Sequence, residues 1–229
     1  MTVPTNLNTF PIPADCSRRP KLANPSTNAE MVDVHFRNIE NALCAHINKA
    51  DAVIGCVAWL TSVPVLRALA LKKKVALVVN KEDWLRPDIG QSRMQYQRTL
   101  YDDLSGNFTR YEFPFLAHMS CACGYPIEPV RCVGVINNGQ KIPSPRMHHK
   151  FVVFGHLTEE EYPYFLPYAV WTGSFNFTKT AGYSLENAVV IREPAIVKAY
   201  VSEWEQVMAL SEPLNWNATW VEPEWRIGT

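Results

Sequence analysis

Long apolar runs are missing from this chain. No stretch approaches the ~18 residues needed to cross a bilayer, so no stable membrane association is expected. The amino end, MTVPTNLNTFPIPADCSRRP, has no continuous apolar core, so no secretory leader is read there. An excess of one charge is missing too. Lys+Arg and Asp+Glu both number 22, so net charge gives no vote for a polyanionic partner. Any nucleic-acid or phosphate site must be a local patch. Solenoid-period repeats are absent, and so is the carboxylate cluster of a magnesium site. A reducing, cytoplasmic compartment is the default expectation. It leaves the Asn-x-Thr triplets at Asn107, Asn176 and Asn217 without meaning as sugar sites.

What is present is a globular balance, 47% hydrophobic and 19% charged over 229 residues. That is enough for one α/β domain with a sizeable core and no disulfide staples. Residues 1–28 are rich in Pro, Asn and Thr and read as an extended arm. Phe36, Ile39, Leu43, Ile47 and Ala50 recur at helical spacing, so a helix is expected over 30–50, capped by Ser26, Thr27 or Asn28. AVIGCVAWL at 52–60 and VALVVN at 75–80 read as strands buried on both faces. Between them SVPVLRALALKKK reads as a helix with Pro64 in its first turn. Residues 88–105 read as helical. TRYEFPF, CVGVIN, KFVVFG, YAVWTG and ENAVVIRE read as strands. In PAIVKAYVSEWEQVMAL, residues Ile196, Tyr200, Trp204, Val207 and Leu210 form one helical face. A tail over 213–229 carries Trp216, Trp220 and Trp225. The expected architecture is α/β: a mixed, largely parallel sheet flanked by helices, with the main domain over 29–212.

The chemistry concentrates in MHHKFVVFG at 147–155. Residues two apart on a strand share a side. His148 and Lys150 therefore stand together, with His149 opposite. A cation beside an imidazole suits a phosphoryl group: the ammonium neutralises its oxygens while the imidazole attacks or moves a proton. An isolated H-x-K arises by chance. Downstream, however, Ser174 and Asn176 of TGSFNFT again project to one side, offering a hydroxyl and an amide to phosphoryl oxygens. Thr178 is placed to cap a short helix. Glu186 opens the next strand, where a carboxylate would fix an imidazole tautomer.

HHK, TGSFNFT and SLENAVVI together resemble the phospholipase D superfamily, in particular its nuclease branch with one H-x-K motif per chain. The likeness extends to LCAHINKADAVIGCVAWLTSVPVLRALALKKKVALVVN and spans roughly residues 30–210. It implies a phospholipase D-like sandwich and a set of roles. His148 would be the nucleophile of a phosphohistidine intermediate. Lys150 and Asn176 would hold phosphate oxygens, Ser174 would support them, and Glu186 would orient His148. The resemblance implies a metal-independent reaction with no cofactor. It also implies a homodimer whose two His148 residues share one site, since each chain has a single motif. The expected substrate is nucleic acid, DNA rather than RNA, cut by an endonuclease. A phospholipase and a catalytically altered binding or scaffold homologue are the alternatives. The family pattern H-x-K-x-x-x-x-D is broken: its aspartate position holds Gly155, followed by His156. HLTEEEYPYF after it is longer than the hairpin expected there.

Further candidates are less specific. Lys72, Lys73, Lys74, Arg146, Lys150 and Lys179 supply positive charge, although three consecutive lysines usually form a solvated helix end. Trp59, Trp84 and Trp171 offer rings for bases, with core packing the expectation for Trp59 and Trp171. The turn-rich region 116–146 contains HMSCACGYPIEPVRC. Its His118, Cys121, Cys123 and Cys132 make a donor set for structural zinc, at a C-x-C spacing tighter than the usual C-x-x-C.

Overall fold

The structure is a computed structural model, described for residues 6–9, 24–86, 92–121, 126–136 and 145–227. Two short strands, β1 (Thr27–Asn28) and β2 (Val32–His35), precede helix α1 (Ile39–Lys49). Then follow β3 (Ala52–Val57), α2 (Val63–Ala70), β4 (Lys74–Asn80), α3 (Ser92–Asp102) and α4 (Pro114–Ala117). Next come β5 (Met119–Cys121), β6 (Val130–Val133), β7 (Lys150–Leu157), β8 (Phe165–Gly173) and β9 (Ala188–Ile191). The chain closes with α5 (Pro194–Ala209), β10 (Glu212–Pro213) and β11 (Trp225–Ile227).

Nine strands make one sheet in the order β1-β2-β9-β8-β7-β3-β4-β6-β10, and β11 pairs with β5 separately. The mixed α/β sheet stands as expected, but its parallel share is small. Among the described residues only β3–β4 and β4–β6 run parallel. The sequence shows strand runs but not which way each returns. After β6, strands β7, β8 and β9 lie side by side and antiparallel, and α5 then leads across the sheet to β10 at the edge beside β6.

Both faces of the sheet are covered. Val53, Val57, Leu77, Val79 and Trp171 pack with Leu43, Ile47, Leu66 and Leu69 from α1 and α2. Ile54, Cys56, Ala76, Val78 and Val153 pack with Trp204 and Met208 from α5, and with Leu116 from α4. This is why β3 and β4 read as continuous apolar runs. Ser62 caps α2 by accepting from the Val65 amide, with Pro64 in the first turn.

Four local expectations change. The segment before α1 is strand, not helix: β2 pairs antiparallel with β9, and the helix begins only at Ile39. Asn38 makes the turn with φ 55°, a left-handed conformation asparagine tolerates better than most residues. Ser26 and Asn28 lie beside or within β1 and cap nothing. TRYEFPF is a tight turn over Arg110–Glu112 followed by α4, because Pro114 starts a helix and Thr109 with Glu112 forms a capping box. CVGVIN pairs earlier, over Val130–Val133. On α5, Trp204 and Val207 are buried and Tyr200 packs beside them as expected, and Val197 and Met208 join the same core. Ile196 and Leu210 sit at the helix ends and are exposed. The Trp204 indole fixes that rotation by donating to the Ala76 carbonyl of β4, 3.1 Å away.

The Trp-containing segment closes the sheet. Glu212 and Pro213 pair with Cys132 and Arg131, and Trp216 is buried. The Lys81 ammonium, fully buried, pairs with the Glu212 carboxylate. It donates to the Trp220 carbonyl at 2.9 Å and lies 5.0 Å from the Trp216 ring centre. A buried cation is tolerated only with such partners.

Gly155 has a packing reason. It lies in β7 where the register with β8 slips between Phe154 and Gly155. A Cβ at Gly155 would stand 2.2 Å from the Phe165 ring. The carboxylate at the far end of β7 comes instead from Asp51, which accepts from the Leu157 amide and faces His156 at 3.3 Å. Gly155→Asp, which restores the family pattern, is expected to destabilise the fold by about 2–4 kcal/mol through overpacking and a buried charge. Urea denaturation measures this; an unchanged midpoint would contradict it.

Candidate active site

Strand register assembles the site. Val57 of β3 pairs with Lys150, so the residues just beyond β3 lie beside those just before β7. Accordingly the Ala58 amide donates to the His149 carbonyl at 2.8 Å, and Trp59 comes level with His148. Phe151 pairs with Thr172 of β8, which sets Lys150 beside Gly173 and so beside Ser174. All of this lies at the carboxyl ends of the parallel pair β3 and β4, where open α/β sheets hold ligands.

His148 is exposed and its ring meets Trp59 edge-on, 5.2 Å between centres. The Lys150 ammonium is 3.2 Å from both His148 ring nitrogens, donates to the His148 carbonyl at 2.9 Å, and lies 5.8 Å from the Trp59 ring centre. His149 points the other way and meets Glu203 of α5 at 3.0 Å. The alternation read from the sequence therefore holds.

Gly173 takes φ 151°, and a Cβ there would lie 2.3 Å from the Asn187 carbonyl oxygen. Only glycine fits that turn, and it delivers Ser174. The Ser174 amide donates to the Asn187 carbonyl at 3.0 Å, and its hydroxyl accepts from the Asn187 amide at 3.1 Å. That hydroxyl donates in turn to the Glu186 carboxylate. Glu186 thus serves Ser174 and makes no hydrogen bond to His148 among the described residues. Its charge acts on Lys150. Asn176 is half-buried, and its side-chain oxygen is enclosed without a partner, so the amide keeps spare hydrogen-bonding capacity. Thr178 accepts from the Ala181 amide at 3.2 Å, capping a short turn as the sequence implied.

The electrostatics favour a neutral imidazole. Partial desolvation, then Lys150, then Arg146 and His149 hold the His148 pKa below the usual histidine value. Desolvation also lowers the Lys150 pKa, opposed by Glu186. A neutral imidazole keeps the lone pair a nucleophile needs.

Asn80 and Glu82 escaped the sequence reading, and Trp59 departs from the core position expected of it. Trp59 is half-buried and flanks His148 rather than filling the core. Its indole donates to Glu82 at 2.9 Å, and Glu82 also accepts from the Asn80 amide at 2.6 Å. The Asn80 side-chain oxygen accepts from the Met147 backbone at 3.1 Å, which fixes the start of the motif. The readable signal was polar Asn80 ending a buried strand. Trp171 is core, as expected. The three lysines lie at the opposite sheet end: Lys72 caps Ala50, Lys73 pairs with Asp51 and Lys74 with Glu112.

Of the suggested zinc donors, His118 is exposed beyond α4. The Cys132 thiol is buried in β6 and 3.7 Å from the Pro213 carbonyl. Cys121 lies in β5, opposite Trp225. The Cys121 side chain and all of Cys123 fall outside the described residues.

No family model matches the chain. Uncharacterized protein L381 of Acanthamoeba polyphaga mimivirus is 33% identical over 200 residues, covering 80% of this chain and 67% of the viral protein. The chain belongs to the same family as L381. NucT from Helicobacter pylori has a similar structure: TM-score 0.51, 14% identity, 80% of this chain and 98% of NucT covered. Nuc from Salmonella typhimurium, a phospholipase D family member, gives TM-score 0.47 and 16% identity, with 79% and 95% covered. This L381-type chain shares the mixed α/β fold of NucT.

The titration of His148 checks the electrostatics directly. By NMR its pKa is expected below the ordinary ~6.5. Arg146→Gln should raise it and Lys150→Met raise it further, because each removes a cation that disfavours imidazolium. A native value at or above the ordinary one would refute this account.

Proposed function

We propose that the protein is a metal-independent phosphodiesterase that cuts nucleic acid, acting as an endonuclease through a phosphohistidine. The observation that carries this reading is the Lys150 ammonium held against the His148 ring, beside the Ser174–Glu186 hydrogen bond. Neutral His148 attacks phosphorus and forms a P–N bond as the P–O bond to the leaving strand breaks. Lys150 and the Asn176 amide hold the non-bridging oxygens as charge develops on them. Ser174, polarised by Glu186, supports the same oxygens. The leaving oxygen takes a proton, and water then replaces His148 on phosphorus.

In-line attack and departure require proton transfer opposite the nucleophile. The chain brings one histidine into this setting, so the partner's His148 supplies it across a closed two-fold dimer. A nucleic-acid substrate is supported by a groove between the start of α2, α3 and residues 179–183, which follow the GSFNFT segment. About 720 Å³ of space there is lined by Trp84, Tyr96, Tyr183, Lys179 and Gln97 among others. Aromatic rings with a lysine suit stacked bases and a phosphate backbone better than acyl chains.

Purified protein is assayed on single- and double-stranded DNA, RNA and phospholipid in EDTA. Cleavage of nucleic acid is expected, with His148→Ala reduced at least about 10⁴-fold, the scale of losing a covalent catalyst. Magnesium dependence, hydrolysis of phospholipid alone, or an active His148→Ala would overturn the reading. In mixtures with His148→Ala chains under exchange, activity per native chain should fall. A fully active monomer in sedimentation would refute the shared site.

A further inference from the structure

Away from His148, three donor side chains converge on one face of the sheet. Asp33 and His35 stand two apart on β2 and so share a side, and α1 brings His46 over them. Their carboxylate and imidazole ligand atoms all lie within 4.8 Å of one another. Among the described residues this is the one such group of His, Cys, Asp and Glu. Aromatic rings wall it in. Trp171 stacks on His35 with 5.3 Å between centres, and Phe154 stacks on His46 at 5.8 Å.

Polar groups in such a setting need partners, and these are incompletely partnered. The His35 Nε2 is buried with no hydrogen bond. Asp33, 6% exposed, gives one oxygen to Arg192; the other accepts no hydrogen bond among the described residues.

We propose that Asp33, His35 and His46 form a binding site for a divalent transition metal of the zinc class. Two imidazoles and one carboxylate are a zinc donor set, whereas magnesium and calcium take oxygen shells. Tetrahedral ligands ~2.0–2.1 Å from zinc lie ~3.4 Å apart, a contraction that side-chain rotation provides. Three protein ligands leave the fourth position to water. Arg192 and Lys49 face the trio and oppose the cation, so affinity is moderate rather than that of a four-ligand structural site. The metal would tie β2 to α1. His35 pairs with Ala188 on β9, next to Asn187, which holds Ser174. The ion would therefore steady the strand that follows Glu186, without touching the reacting phosphate.

The test uses the full chain carrying Cys121→Ser and Cys123→Ser, stripped of metal and titrated with Zn²⁺ and Co²⁺. Expected are one equivalent bound, a raised melting temperature with Zn²⁺, and cobalt ligand-field bands without thiolate charge transfer. His46→Ala and His35→Ala, checked for fold by circular dichroism, should weaken binding at least about 100-fold, the upper end of what loss of a mere supporting group costs. Where those variants fail to fold, X-ray absorption on the zinc-loaded parent decides. A nitrogen and oxygen shell with imidazole scattering supports the site. A shell containing sulfur, a failure to bind, or binding unchanged in a folded His46→Ala overturns it.

Discussion

The register between β3 and β7 is the constraint on which the rest depends. Because side chains alternate, a slip of one residue would exchange Phe151 and Val153 with Val152 and Phe154 between the two covered faces, and would present His149 in place of His148. Two hydrophobic layers therefore hold the alternation in place: His148 and Lys150 toward the candidate site, His149 toward α5. The core does not merely support the site; it decides which of two adjacent histidines is presented. Asn80 and Ala58 add a local lock by engaging the backbone of Met147 and His149, outside the regular ladder.

Charge at the site is arranged economically. Lys150 opposes protonation of His148 while standing where phosphate oxygens would come. Glu186 is spent on Ser174, which moves its influence from the imidazole to the hydroxyl. Trp59, held by its indole hydrogen bond to Glu82, meets the His148 ring edge-on from the β3 side.

Much of this was legible in the sequence, for a physical reason. Strands buried on both faces write themselves as unbroken apolar runs, and period two placed His148 and Lys150 on one side without coordinates. The polarity of the returning strands was not legible, because an antiparallel and a parallel strand buried on both faces look alike. Nor was the start of α1: Val32–His35 has the apolar content of a helix flank, and only pairing with β9 makes it strand. The α5 face was read correctly at its centre, at Tyr200, Trp204 and Val207, but not at its ends, where Ile196 and Leu210 run past the sheet into solvent. Trp59 and Glu82 were missed because their roles arise from contacts between segments, which no local pattern records. Gly155 stood out as a departure from a motif, yet its cause, the Phe165 ring, lies across a hairpin.

The Lys81–Glu212 pair has a consequence for the order of synthesis. Lys81 adjoins Asn80, which anchors the start of the catalytic strand. Its counter-charge and its aromatic cover, Glu212 and Trp216, are translated after every residue of the site. Until that segment emerges, the end of β4 holds a cation where the finished sheet is dry, and the edge beside β6 lacks its last strand. The nascent chain thus cannot complete the platform for His148 early.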